Sequence, residues 1–310
     1  MIIFRADISP LTGLQHLRRC AYLVSLLKQS NQVLICARDD KRAAKFLAEK
    51  NISFVLVKDP AKIDLADAKA LVFDVALFSA PDGELLERAK KSGLKTVQII
   101  SAENERQKVD IGFSPFIESE KALLHHKFRH FHKAKRKYCK APKLIFINLG
   151  DLLPYRDLRQ IVDTLHRLRF KMKISPGLSL KKADKRNLMK IYPGIHFCGK
   201  SESPARAYFE ADLALIPPAA EALEAAAVGT PALYMILDKE QEAVADTCAR
   251  MGVGVKIPSL ADFSVQALRD AIAPLTPERR ERMGVAGKAL VDGLGVQRFF
   301  KVLKESGIIK

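Results

Sequence analysis

The chain has no tryptophan, only five cysteines, and an aromatic content of 7% over 310 residues. Cys20, Cys36, Cys139, Cys198 and Cys248 are dispersed and form no CxxC pair. This excludes a disulfide-built scaffold and a zinc ribbon, and predicts reduced core thiols in a cytoplasmic protein. No apolar run approaches the length of a membrane span. Met1 to Phe4 passes straight into charge, without the basic start and long apolar core of a signal peptide, so none is expected. His126 and His130 stand one helical turn apart with no carboxylate beside them, so no metal is expected, and nothing in the sequence asks for a cofactor.

What the chain does have is positive charge: 52 Lys and Arg against 35 Asp and Glu, a formal net charge of +17. Such a surface attracts anions, from phosphorylated small molecules to polyanions. The densest stretch, 121–143 (KALLHHKFRHFHKAKRKYCKAPK), holds nine Lys or Arg, four of the seven histidines and no acid. Leu124, Phe128 and Phe131 share a helical face, so the stretch reads as a basic interdomain helix. Contact with an anionic membrane surface is the second role open to it. Nucleic acid is not an expected partner, since no recognition motif is present.

A short β-branched run followed by a longer amphipathic stretch recurs along the chain. Strands are predicted at 2–4, 33–37, 54–57, 70–75, 96–100 and 111–113, and again at 144–149, 172–175, 195–199, 213–216, 232–236 and 253–257. Strands alternating with helices imply two α/β units, each a doubly wound parallel sheet. The expected domains are 1–120 and 144–310, joined by 121–143, with helices running from about 263 to the end.

In doubly wound sheets ligands bind beyond the carboxyl ends of the strands. The first loop, Arg5 to His16 (RADISPLTGLQH), occupies that place after strand one. Gly13 permits a tight turn, and a helix from about Leu14 turns free N–H groups and a positive dipole end toward the site. That dipole disfavours imidazolium at His16, leaving the ring able to accept a proton. Asp7 is placed either to hold His16 in one tautomer or to hold a substrate hydroxyl. Arg5 either meets phosphate or pairs with Asp7. Asp74 ends the strand LVFD as a substrate contact or a helix cap.

Arg5, Asp7, Ser9, Gly13, His16 and Arg19 follow the spacing R-x-D-x-S-x-x-I-G-x-G-H-x-x-R. The stretch resembles the opening of the UDP-sugar hydrolases of pseudaminic acid biosynthesis, relatives of the peptidoglycan N-acetylglucosaminyl transferase. ADLALIPPAAEALEAAAVGTPAL resembles their nucleotide-binding element, with Glu224, Gly229 and Pro231 in E-x4-G-x-P, and the stretch after it carries Gln241. The resemblance covers most of residues 1–257. It implies a GT-B fold, two Rossmann-like domains facing across a cleft, and a nucleotide-sugar (UDP-sugar) ligand. It makes His16 the base that activates water as UDP leaves, and gives Glu224 the ribose hydroxyls. The candidate catalytic residues are therefore His16 and Asp7. The candidate substrate contacts are Arg5, Gly13, Gln15, Asp74, Gly150, Ala220, Glu224 and Gln241.

The chain departs from the pattern at three places. Gln15 replaces the second glycine of G-x-G-H, Pro217-Pro218-Ala219-Ala220 replaces a Ser- or Gly-rich loop, and Asn148-Leu149-Gly150-Asp151 replaces Gly-Gly-x-Asp. Proline donates no N–H and alanine no hydroxyl, so phosphate donors are lost. Two functions follow: a nucleotide-sugar hydrolase or glycosyltransferase-like enzyme, or a non-catalytic GT-B protein that binds a ligand or partner.

Overall fold

The computed structural model describes residues 1–9, 13–100, 105–115, 121–151, 153–177, 179–199 and 202–310. Parts of the first loop (10–12) and of the segment before the crossover (116–120) lie outside the described residues. The chain divides into two units, Met1–Leu124 with Leu294–Lys310, and His125–Gly293.

Unit 1 alternates β1 (Ile2–Ala6), α1 (Gln15–Leu27), β2 (Val33–Arg38), α2 (Lys41–Glu49), β3 (Phe54–Val57), β4 (Ala70–Asp74), α3 (Ala80–Lys91), β5 (Lys95–Ile99) and β6 (Ile111–Phe113). Its strands form one parallel sheet in the order β3-β2-β1-β4-β5-β6. Strand alternation sorts β1 by face. Ile2, Phe4 and Ala6 pack with the α1 residues Leu17, Ala21 and Val24, whereas Ile3 packs with Leu85, Leu86 and Ala89 of α3. α1 forms because Leu17, Cys20, Ala21, Val24 and Leu27 recur at helical spacing and are all buried.

Unit 2 contains α4 (His126–Lys133), β7 (Leu144–Ile147), α5 (Tyr155–Arg167), β8 (Lys171–Ile174), α6 (Lys182–Ile191), β9 (Ile195–Phe197), α7 (Pro204–Glu210), β10 (Leu213–Ile216), α8 (Ala220–Val228), β11 (Ala232–Tyr234), α9 (Glu242–Arg250), β12 (Gly254–Lys256), α10 (Val265–Ile272) and α11 (Pro277–Leu290). Its sheet order, β12-β11-β10-β7-β8-β9, repeats the topology of unit 1. Each sheet reverses strand order where its first and fourth strands lie side by side: β1 and β4 in unit 1, β7 and β10 in unit 2. Ligands of this fold class bind at such reversals.

Two expectations need correction. The last helix, α12 (Gly295–Glu305), was expected in the 144–310 domain but belongs to unit 1. Val296, Phe299 and Leu303 complete the unit 1 core, and Phe299 meets Phe113 edge-on at 5.1 Å. The basic stretch is helical only over α4. Beyond it, Ala134, Arg136 and Tyr138 turn inward while Lys133, Lys135 and Lys137 are exposed. The reason lies in what Arg136 reaches: it donates to the carbonyls of Phe209 (2.8 Å) and Ala211 and to Thr230 Oγ1 (3.0 Å). Tyr138 donates to the Gly229 carbonyl at 2.9 Å. The segment thus satisfies the carboxyl ends of α7 and α8, where a cation is favoured. Phe128 is buried and Phe131 stacks on Phe209 at 5.0 Å, so the apolar residues of α4 are used within unit 2. Among the described residues no helix is long and apolar enough to cross a membrane.

Candidate functional site

At the reversal in unit 1, α1 begins where β1 ends. Ser9 and Gly13 exchange two backbone hydrogen bonds, 3.0 and 2.9 Å, which close the loop. Gly13 has φ +59°, a left-handed conformation that favours glycine. Among the described residues no side chain caps α1. His16, Arg19 and Cys20 fall on one face of the helix through their i, i+3, i+4 spacing. All three meet Asp74, the last residue of β4 and the register partner of Ala6.

His16 Nδ1 lies 2.7 Å from Asp74 Oδ1. Arg19 forks the same carboxylate, with Nε donating to Oδ2 at 2.7 Å and Nη2 donating to Oδ1. Cys20 Sγ approaches Oδ2 at 3.4 Å. Asp74 is fully buried. Burial alone would raise its carboxyl, but the charge and hydrogen bonds of Arg19, with those of His16, outweigh it and hold the group well below the usual carboxylate range. Burial, with Asp74 beside it, pushes the Cys20 thiol well up, so it stays protonated.

An ionised carboxylate only accepts, so Nδ1 carries a proton, and in the neutral ring Nε2 is then the lone-pair nitrogen. His16 Nε2 is buried and has no partner among the described residues. The neighbouring Gln15 Nε2 is also buried and has no partner among the described residues. Two ring or amide nitrogens on consecutive residues of one helix start thus share this state.

The other expected residues of this loop are placed differently. Asp7 does not orient His16; Asp74 does. Asp7 Oδ2 takes Arg5 Nη2 at 2.5 Å, and its Oδ1 accepts the Arg38 N–H at 2.6 Å. Arg5 lies on the α3 face of β1, opposite Ala6, and is fully buried. Its Nε donates to Asp82 Oδ1 at 2.9 Å, and Asp82 forms a capping box with Ser79 at the start of α3. Arg38 Nη2 donates to Ser79 Oγ at 2.9 Å, which closes a ring of five side chains tying β1, β2 and α3 together. Of the two readings of Arg5, the structure shows pairing with Asp7, on the face away from His16.

At the reversal in unit 2, loops 148–151 and 217–220 follow β7 and β10. Gly150 has φ +83°. A Cβ on Gly177 would stand 2.7 Å from the Gly150 carbonyl oxygen, so the segment after β8 needs glycine there to pass loop 148–151. The Ala219 N–H is spent on the Pro217 carbonyl at 2.9 Å. Pro217 and Pro218 have no N–H, so backbone donation toward an anion falls to the start of α8 at Ala220, which no side chain caps. Glu224, half-buried on α8, hydrogen-bonds the fully buried Tyr208 hydroxyl, which also accepts from Asn148 Nδ2 at 3.1 Å. Burial, with Glu224 and Glu221 nearby, raises the Tyr208 phenol well above its ordinary value. Gln241 folds back to accept the Leu237 N–H at 3.0 Å.

Sequence reading placed Arg19 in the opening motif without giving it a site role, and it missed Tyr208. Arg19 carries a signal, since it stands one turn after His16; Tyr208 carries none. A groove of about 650 Å³ in unit 2 is lined by residues of α4, β8 and α7. On its floor Lys173 pairs with Glu202 and Glu210. Among the described residues no group of His, Cys, Asp and Glu is placed to hold a metal.

Two doubly wound parallel units of identical topology define a two-domain Rossmann-like GT-B fold. MurG from Acinetobacter baumannii has this fold, with 15% identity to this chain, 98% of this chain and 99% of that one covered, and a TM-score of 0.66. UDP-GlcNAc 2-epimerase from Neisseria meningitidis, solved bound to UDP-GlcNAc, is similar at 12% identity over 98% and 100% of the two chains, TM-score 0.59. The Streptomyces sp. SF2575 glycosyltransferase SsfS6, complexed with thymidine diphosphate, is similar at 12% identity over 97% and 99%, TM-score 0.58. No protein-family model and no curated protein matches the chain.

Proposed function

We propose that this chain is a sugar-nucleotide enzyme of the GT-B class with His16 as its general base. One observation carries this: a buried imidazole held through Nδ1 by Asp74, with Nε2 buried and without a partner among the described residues at the start of α1. Nε2 takes a proton from water, or from an acceptor hydroxyl, as that oxygen attacks the anomeric carbon and the bond to the nucleoside diphosphate breaks. Asp74 stabilises the imidazolium that forms and does not itself take the proton. The diphosphate is assigned to the start of α8, where N–H groups and the helix dipole offset charge on the leaving group. Glu224 is assigned to the ribose hydroxyls. The similar structures solved with UDP-GlcNAc and thymidine diphosphate support a nucleotide-sugar ligand. The sequence resemblance favours water as acceptor, UDP as leaving group, and a place in nonulosonic acid or surface polysaccharide biosynthesis.

A second reading has its own support. Prolines and a self-bonded Ala219 reduce the phosphate donors, and Tyr208 already occupies Glu224. These favour a non-catalytic GT-B protein that binds a ligand or partner. Incubation with UDP-sugars separates the two. UDP release that is lost in a folded His16→Ala variant supports the enzyme. No release from any UDP-sugar, with no thermal shift on UDP, supports the second reading.

A further inference from the structure

We infer that Arg19 is a positioning residue that sets the protonation state of His16: clamped on Asp74, its guanidinium keeps the imidazole neutral and Nε2 bare. This rests on the reading of His16 as the base and adds to it a second group, one that acts through Asp74. A fully buried carboxylate whose only partner was an imidazole would draw a second proton onto the ring, because a buried charge demands an opposite one. Here that demand is met by a permanent cation. Arg19 occupies both carboxylate oxygens in a fork, and His16 shares Oδ1.

The guanidinium also acts on the ring directly. Arg19 Nη2 stands 3.1 Å from His16 Nδ1. Since Nδ1–H is turned to Asp74, two donors meet there, and a cation at that distance opposes a positive charge on the imidazole. Among the described residues no other group around Asp74 takes over. Cys20 holds its proton. On β1 the register partner is Ala6, and Arg5 faces away. On β5, Gln98 pairs with Phe73 and shares its opposite face. Arg19 is therefore the cation that lets a buried His–Asp pair rest uncharged on the histidine side and still offer a proton acceptor.

The test is ¹⁵N NMR of histidine-labelled full-length protein at pH 7, with native, Arg19→Gln and Arg19→Lys chains. In the native protein His16 shows Nδ1 protonated and Nε2 bare. In Arg19→Gln, which keeps polar reach but loses charge, Nε2 gains a proton and its resonance moves to the protonated position. Arg19→Lys falls between, because an ammonium cannot fork both oxygens. A bare Nε2 in Arg19→Gln, or a protonated one in the native chain, overturns the inference. Should Arg19→Gln not fold, Arg19→Lys decides: a pH response of Nε2 identical to native overturns it. If UDP release is measurable, Arg19→Gln moves the acid limb of its pH profile upward by about a unit or more, and a merely structural role would leave that limb in place. The NMR readout needs no substrate, so absent UDP release with the expected spectra would sink the base assignment and leave the charge relationship standing.

Discussion

Asp74 and His16 stand 58 positions apart in sequence, yet the carboxylate oxygen of one lies 2.7 Å from the ring nitrogen of the other. β4 ends beside β1, and α1 is the next element after β1, across the first loop, so the strand-order reversal brings the two together. Asp74→Asn keeps the shape but offers an amide that can present its N–H to Nδ1 and so select the other tautomer. UDP release should fall by about 10² to 10⁴-fold with nucleotide affinity little changed. Steady-state kinetics beside UDP titration calorimetry would check it. Full activity in Asp74→Asn removes the dyad from the mechanism.

Glu202 is held down to about 2 by its hydrogen bond with Lys173, against the opposing effect of burial and with the help of His196. A folded carboxyl below its unfolded value contributes stability that is complete above the unfolded value, about 4.3, and lost as pH falls through the folded one. Glu202→Gln should cost about 1 kcal/mol at pH 7, modest because the group is partly solvated. That deficit should shrink below about pH 4 and disappear near pH 2, as urea melts of both proteins across pH would show.

Phe299 on α12 is fully buried in the unit 1 core, against Phe113. Phe299→Ala should destabilise unit 1 by about 3–5 kcal/mol. Hydrogen exchange should then report loss of protection in β1, β4 and α1, with α5 and β7 unchanged. Equal loss in both units would contradict the assignment of α12 to unit 1.

Tyr208→Phe removes the hydroxyl between Asn148 and Glu224. Leaving those two groups with one partner fewer should cost about 1–3 kcal/mol of stability. If Tyr208 competes with nucleotide for Glu224, UDP should bind more tightly to the variant. Unchanged UDP affinity, read by calorimetry, would detach Glu224 from the nucleotide site.

All twelve strands were legible as local β-branched runs, because burial on both faces of a parallel sheet leaves a near-continuous apolar signature. The start of α1 was legible too, since the left-handed turn at Gly13 and the helical spacing that follows are local features. The basic stretch was misread beyond Lys133. Helical spacing there competes with what Arg136 gains at the carboxyl end of α7, over 70 residues away in sequence.

The amino-acid order alone determined that this chain makes two repeated α/β units and that a histidine starts the first helix after the first strand. Both are set by short-range periodicity and turn chemistry. Tertiary structure decided that Asp74, not Asp7, holds that histidine, that Arg5 faces away from it, and that α12 returns to complete unit 1. Those outcomes depend on strand order, on which pleat face a residue occupies, and on which core has room for the last helix.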